Sequence, residues 1–201
     1  MLSQDCNGAA VLPGNAIPEG RILDAAYDLL LAVGMRRMTM ADVARRAEVS
    51  RATLYRRWAN VREIVGALIT REWSAMDAKM LAAEAPHGRA RLVNGVVALV
   101  AASRAHPILR KIIELDPEFL LPYLLRRRGS STEHQLATIE AALRAGIEDG
   151  SIAPGPGDPA ARAQAVLLAA WSFALTGPAI STDLDVLDEQ LRTLLERYLT
   201  P

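Results

Sequence analysis

Residues 39–58 read TMADVARRAEVSRATLYRRW. Thr39 is followed three residues later by Asp42, the spacing of a capping box, which opens a short helix expected over Met40 to Ala47. Val43, Ala44 and Ala47 form its inner side. A break at Glu48, Val49 and Ser50 leads to a second N-cap, Ser50, and to a helix through Arg51 to Trp58 whose Leu54 and Trp58 share one face at i and i+4. Two short capped helices joined by a three-residue turn make a helix-turn-helix.

The residues of the second helix that face away from Leu54 and Trp58 are Arg51, Ala52, Thr53, Tyr55 and Arg56. Their chemistry suits a DNA groove. Arginine can bond two acceptors on guanine, Thr53 offers a hydroxyl or a methyl to a base edge, and Ala52 is small enough to let a helix sink into the major groove. Tyr55, Thr39 and the N-cap at Ser50 suit phosphate, which fixes position without reading sequence. The charge agrees: from Arg36 to Arg62 eight arginines face two acids, Asp42 and Glu48, although the whole chain has a formal net charge of zero.

Upstream, Ile22, Ala25, Ala26, Leu29, Leu30 and Val33 recur at the spacing of one buried helical stripe, with Pro18 in its first turn and Gly34 at its end. Residues 1 to 16 mix Gly, Pro, Asn and Ser without a period and are expected to form a disordered arm. Downstream, a helix over about 61 to 83 is long enough to link two domains. Further helices are expected at about 89–104, 107–114, 117–127 and 131–149, punctuated by Pro107, Pro117 and Gly129. A Pro-Gly-Pro-Gly loop at 154–157 precedes two last helices, about 159–176 and 183–199. No segment shows strand alternation, so the expected fold class is all-α: a helix-turn-helix unit over 17–63 and a helical unit over 64–201.

Apolar residues make up 51% of the chain and aromatics only 4%, a composition suited to close-packed helices. The sole cysteine, Cys6, excludes an intramolecular disulfide, and no apolar run approaches the ~20 residues of a membrane span. A cytoplasmic protein with no membrane partner is the expectation. No HExxH, GxSxG or phosphate-cradling glycine loop is present, and His87, His106 and His134 lack metal-ligand spacing. No catalytic residue, metal site or cofactor is assigned. The rival reading from another class is a helical adaptor that binds protein through its basic face.

The stretch from Ile22 to Ile64, above all Thr39 to Ala44 and Val49 to Trp58, resembles the N-terminal domain of TetR-family regulators. That resemblance implies a three-helix reading head, a linking fourth helix, a divergent ligand domain and two last helices that build a dimer's four-helix bundle. It implies a ligand-responsive regulator, a repressor, whose homodimer sets two reading helices ~34 Å apart on a near-palindromic double-stranded DNA operator. The interface would draw on Ala169, Ala170, Phe173, Leu184, Leu187, Leu191 and Leu194. Where the family usually has a lysine at the start of the fourth helix, this chain has Val61, so Arg62 is expected to take the phosphate contact. Glu48 stands at a turn position that many such motifs give to glycine, so it must either adopt a left-handed conformation or sit in a turn that avoids it.

For a small-molecule effector, the candidate cavity walls are Trp73, Met76, Met80, Val100, Arg104, His106, Leu109, Ile112, Phe119, Tyr123 and Trp171, with core packing the competing role for each. An apolar lining implies a hydrophobic or amphipathic effector. The run Arg126, Arg127, Arg128 is read as charge complementing a helix C-terminus, not as a second nucleic-acid contact.

Overall fold

The computed structural model describes residues 19–81, 84–126, 128–155 and 158–200. The expected arm over 1–16 and the side chain of Met80 lie outside the described residues. Every regular element described is helical. Helix α1, Glu19–Val33, buries Ile22, Ala25, Ala26 and Leu30 of the stripe read from the sequence, leaves Leu29 and Val33 of that stripe half-buried, and buries Leu23, which lay outside it. It stops at Gly34, whose φ of 75° carries the chain into a single 3-10 turn, Met35–Arg37. A Cβ at Gly34 would also lie 2.9 Å from Leu115 Cδ1, so the glycine answers both a backbone and a packing demand.

Helix α2, Met40–Arg46, and helix α3, Arg51–Tyr55, follow. The latter is shorter than the 51–58 expected, because the chain turns at Arg56 and Arg57, yet Trp58 still packs inward beside Leu54. Helix α4, Val61–Leu81, leaves the head. Helix α5, Gly88–Ala105, is capped by His87, whose Nδ1 accepts from Ala90 N, and helix α6, Pro107–Leu115, leaves it at a 53° bend. The single helix expected over 117–127 is instead a 3-10 turn, Pro117–Phe119, and a short helix α7, Leu121–Leu125. Asp116 separates this turn from α6: its side chain turns inward to accept from Met35 N at 2.8 Å, and its φ, ψ of −138°, 45° ends the preceding helix.

Helix α8, Ser130–Glu148, crosses α5 where a Cβ on Gly88 would stand 2.6 Å from Gly146 Cα. Helices α9, Pro159–Leu175, and α11, Leu184–Leu199, are the last two long ones, with a short α10, Gly177–Ile180, between them that the sequence reading did not foresee. Among the described residues no single helix is long and apolar enough to cross a membrane.

Two hydrophobic clusters hold the structure. The first joins α1 to α3 with Ile64, Val65 and Leu68 of α4, Ile108 and Ile112 of α6, and Phe119. The second joins α5, α8, α9 and α11 through residues such as Val96, Leu143, Val166, Leu191 and Leu195. Helix α6 therefore belongs with the head by packing, although it follows α5 in sequence. Leu191 is fully buried and Ala170 nearly so inside the second cluster, which corrects their expected place on a dimer surface: their side chains are spent on the chain's own core. The outward apolar residues of this end are Leu168, Ile180, Val186, Leu194 and Tyr198.

Candidate nucleic-acid interface and internal cavity

The reading head owes its shape to two caps. Thr39 Oγ1 accepts from Asp42 N at 3.1 Å and donates to Asp42 Oδ2 at 2.6 Å, while Thr39 N also donates to that carboxylate. The hydroxyl's hydrogen bond, with Arg45 nearby, holds the Asp42 carboxyl below its ordinary pKa. Ser50 Oγ accepts from Thr53 N at 3.1 Å and lies 2.9 Å from Thr53 Oγ1. These are worth about 1 kcal/mol each by the usual cost of removing an N-cap. Between them, Glu48 sits at φ 54°, the left-handed conformation that the sequence left as one of two possibilities, and its carboxylate pairs with Arg21 of α1 at 2.7 Å.

With both caps satisfied internally, α3 presents Arg51, Ala52, Tyr55 and Arg56 to solvent and Thr53 half-buried beside Ser50. Among the described residues, Arg51 and Arg56 have no ion pair or hydrogen bond from their side chains, and Tyr55 is 56% exposed. Four other arginines of the segment are partly neutralised: Arg45 pairs with Asp42, Arg46 with Asp28, Arg57 with Glu19 and Arg36 with Glu118, while Arg37, exposed on the 3-10 turn, has no ion pair or side-chain hydrogen bond among the described residues. Apart from Arg37 and Arg62, the unpaired positive charge of the segment thus lies on the helix that the sequence nominated and at its C-cap, Arg56. Arg62 sits apart from it. Its guanidinium lies over the Phe119 ring, 5.4 Å from the centroid, at the cavity edge, so cation–π attraction holds it there and this conformation does not serve the phosphate contact expected of it.

The cavity measures about 730 Å³, is partly open to solvent and lies between the two clusters. One wall is Trp58, Ile112 and Phe119 of the head's cluster; the opposite wall is Val100, Leu167, Ala170 and Ala174 of the second. Of the residues nominated from sequence, Trp73, Val100, Leu109, Ile112, Phe119, Tyr123 and Trp171 line it. Met76, His106 and Arg104 do not. Met76 lies one turn beyond Trp73 on α4, outside the lining. His106 is tucked against Trp73, with ring centroids 5.3 Å apart, and lies 3.6 Å from Glu72; burial pushes its pKa down. Arg104 is buried in an ion pair with Asp188 that ties α5 to α11, and donates to Phe173 O.

Several residues with functional weight escaped the sequence reading. Trp58 was taken as core only, yet it also forms the cavity's head-side wall. Buried Ser103, Thr132 and Gln135 add polar groups to the lining. Asp116 is 1% exposed and joins α6 to the head through Met35 N, with Arg36 Nε 3.5 Å from its other oxygen. Asp77, also 1% exposed, lies between α4 and α8 with His134 at 3.8 Å, and burial raises its pKa to about 6 against the opposing influence of His134 and Gln135. Only Asp116, placed directly before a proline, carried a local signal of a break; the others are set by contacts between distant segments.

Comparison with known proteins agrees with this geometry. Residues 22–68 match the family model for bacterial regulatory proteins of the tetR family. An uncharacterised HTH-type transcriptional regulator of Mycobacterium bovis is 31% identical over 185 residues, covering 90% of this chain and 93% of its own length. Among solved structures, the R. erythropolis repressor QsdR superposes with a TM-score of 0.71 at 18% identity, over 90% of this chain and 93% of that one. FadR from Bacillus subtilis in complex with stearoyl-CoA gives 0.63 at 17% identity, over 90% and 100%. At such identities the structures show the fold alone, but the full-length mycobacterial relative, the matched head and the uncommitted arginines of α3 converge: this chain belongs to the TetR family of DNA-binding transcriptional regulators.

Proposed function

We propose that the protein is a homodimeric repressor that holds a near-palindromic operator and releases it when a small hydrophobic or amphipathic effector enters the cavity. The observation that carries this reading is the cavity's position. It is walled on one side by Trp58 and Phe119, which belong to the head's cluster, and on the other by the body, so an occupant changes the seam between them. Helix α4 spans that seam, and the α6 end is tied to the head through Asp116 and Met35. A ligand that favours one arrangement of the seam shifts DNA affinity by its differential affinity for the two arrangements. The FadR complex named above holds an acyl-CoA, which supports an amphipathic occupant for a fold of this kind.

Base readout is assigned to Arg51, Ala52, Thr53 and Arg56, and phosphate contact to Thr39, Ser50 and Tyr55. The dimer is assigned to α9 and α11, whose outward Leu168, Val186, Leu194 and Tyr198 are left uncovered by the chain itself. Because Leu191, Leu195 and Leu199 are core residues, removing α11 would unfold the body and test nothing about association. Leu194→Glu is the informative change, and a dimer in sedimentation that it leaves intact would place the interface elsewhere. The function itself is tested by selection of binding sites from random DNA. Two half-sites with a preferred sequence and affinity that falls steeply with salt are expected; salt-sensitive binding with no preferred sequence would overturn the regulator reading.

A further inference from the structure

The arginines at 126 and 128 were read from sequence as charge at a helix C-terminus, and for Arg126, which follows α7, the structure allows it. Arg128 stands elsewhere. It directly precedes the N-cap Gly129 of the 19-residue helix α8, so its positive charge adjoins the positive end of that helix's dipole, where an anion is favoured and a cation is not. The N-cap has no side chain, and the N–H groups of Ser130, Ser131 and Thr132 have no acceptor among the described residues. Arg128 itself has no ion pair or hydrogen bond there either. Arg128, Gly129, Ser130, Ser131 and Thr132 all line the cavity.

A second observation is independent of the helix end. The Thr132 side chain is nine-tenths buried, borders the cavity and makes no hydrogen bond to any described residue. Glu133, the acidic residue of this first turn, is exposed and does not line the cavity. The carboxylate that does, Glu63, is engaged with Ala59 N and Asn60. The rest of the lining is largely apolar: Ile69, Trp73, Val100, Leu109, Phe119 and Trp171 among others. An unpaired cation, free N–H groups and an unpartnered hydroxyl on a buried threonine therefore meet in the lining of one largely apolar volume.

We infer that the effector is an amphiphile with an anionic head, its apolar body in the cavity and its head against Arg128 and the N-terminus of α8. The inference rests on the effector reading above and adds the head's charge and place. An anion there relieves the clash of like charges and accepts from the free N–H groups and the Thr132 hydroxyl at once. Arg62, the cation at the head-side end, is already held over Phe119 and is the alternative seat.

All three tryptophans of the chain, Trp58, Trp73 and Trp171, line the cavity, so tryptophan emission reports its occupancy directly. The full-length protein is titrated with decanoate, decyl phosphate, decan-1-ol and decyltrimethylammonium. Decanoate or decyl phosphate is expected to bind about tenfold or more tightly than the alcohol, the margin of one charge-assisted contact, and the cation more weakly still. Which of the two anions is preferred separates a carboxylate from a phosphate source. Arg128→Gln, an exposed position whose melting curve verifies folding, is expected to abolish the anion's advantage while the alcohol binds as before. An alcohol that equals both anions, or an advantage lost in Arg62→Gln and kept in Arg128→Gln, overturns the assignment. If none of the four probes alters emission, the effector reading fails with it, whereas binding of the alcohol without an anion preference overturns the head alone.

Discussion

The head and the body of this protein are stabilised in different ways. In the head, short elements are held by contacts a few residues apart in sequence: Thr39 with Asp42, Ser50 with Thr53, Asn60 with Glu63. Its helix starts are capped locally, exposed ion pairs such as Arg21–Glu48 and Arg46–Asp28 join its helices, and Arg51, Arg56 and Tyr55 stay uncommitted and exposed. In the body, buried polar groups are paired over long distances or left unpaired: Arg104 with Asp188, and Asp77 with both carboxylate oxygens lacking a hydrogen bond among the described residues; where α6 meets the head, Asp116 reaches Met35 N in the same way. The reading helix is thus set by local caps, while the cavity lies between the two clusters. Regions that must change state are drawn from the less stable parts of a structure.

The widest departure from that picture would come from the reader itself. Arg51→Ala is expected to cost about 1–3 kcal/mol of discrimination at one base position, whereas Tyr55→Phe should weaken binding evenly across sequences. Competition binding on the selected operator and on single-base variants checks this; equal loss on every DNA for both changes would erase the division between base readers and phosphate anchors. Next, Asp116→Ala leaves Met35 N–H buried without an acceptor and is expected to destabilise the protein by about 2 kcal/mol in urea unfolding. It should also blunt the release of DNA by effector. An undiminished response would show that the link between α6 and the head does not couple the two regions.

Asp77 gives a smaller effect with a defined sign. Its folded pKa of about 6 lies above its ordinary 3.8, so the folded state binds the extra proton and this group's contribution to stability falls as pH rises from about 4 to 6. Asp77→Asn should remove that dependence and raise the melting temperature at neutral pH by a few degrees; a mutant that melts lower at pH 7 would mean that the His134 contact outweighs burial. The smallest change expected is at Glu48→Gly. Relief of the left-handed conformation, worth about 1 kcal/mol, is offset by loss of the exposed Arg21 pair, worth up to about 1 kcal/mol. The net should be near zero at low salt and slightly stabilising at high salt, where the pair is screened; a large loss in thermal melts at either salt would assign Glu48 a role beyond the turn.

Much of the head was legible before any coordinates. N-cap residues, the i, i+4 pair Leu54 and Trp58, and the stripe from Ile22 to Leu30 all act within one or two helical turns, and local sequence is enough to specify them. The cavity was legible only as a list of apolar candidates. His106 and Trp73 look alike as nominees, yet one packs behind the other and only Trp73 reaches the volume. On α11, Leu191 and Leu194 belong to one stripe by spacing; the structure buries the first in the core and leaves the second 56% exposed.

By itself, then, the chain's pattern determined the all-helical class, the two capped helices at 39–58 and the solvent-exposed face of α3, because helix periodicity and capping are short-range effects. Tertiary structure alone decided that α6 packs with the head, that Arg62 faces Phe119, that Asp77 and Asp116 are buried, and that Arg128 stands at the start of α8 beside an apolar volume. Those depend on which distant segments meet, and burial is a property of the meeting, not of either segment.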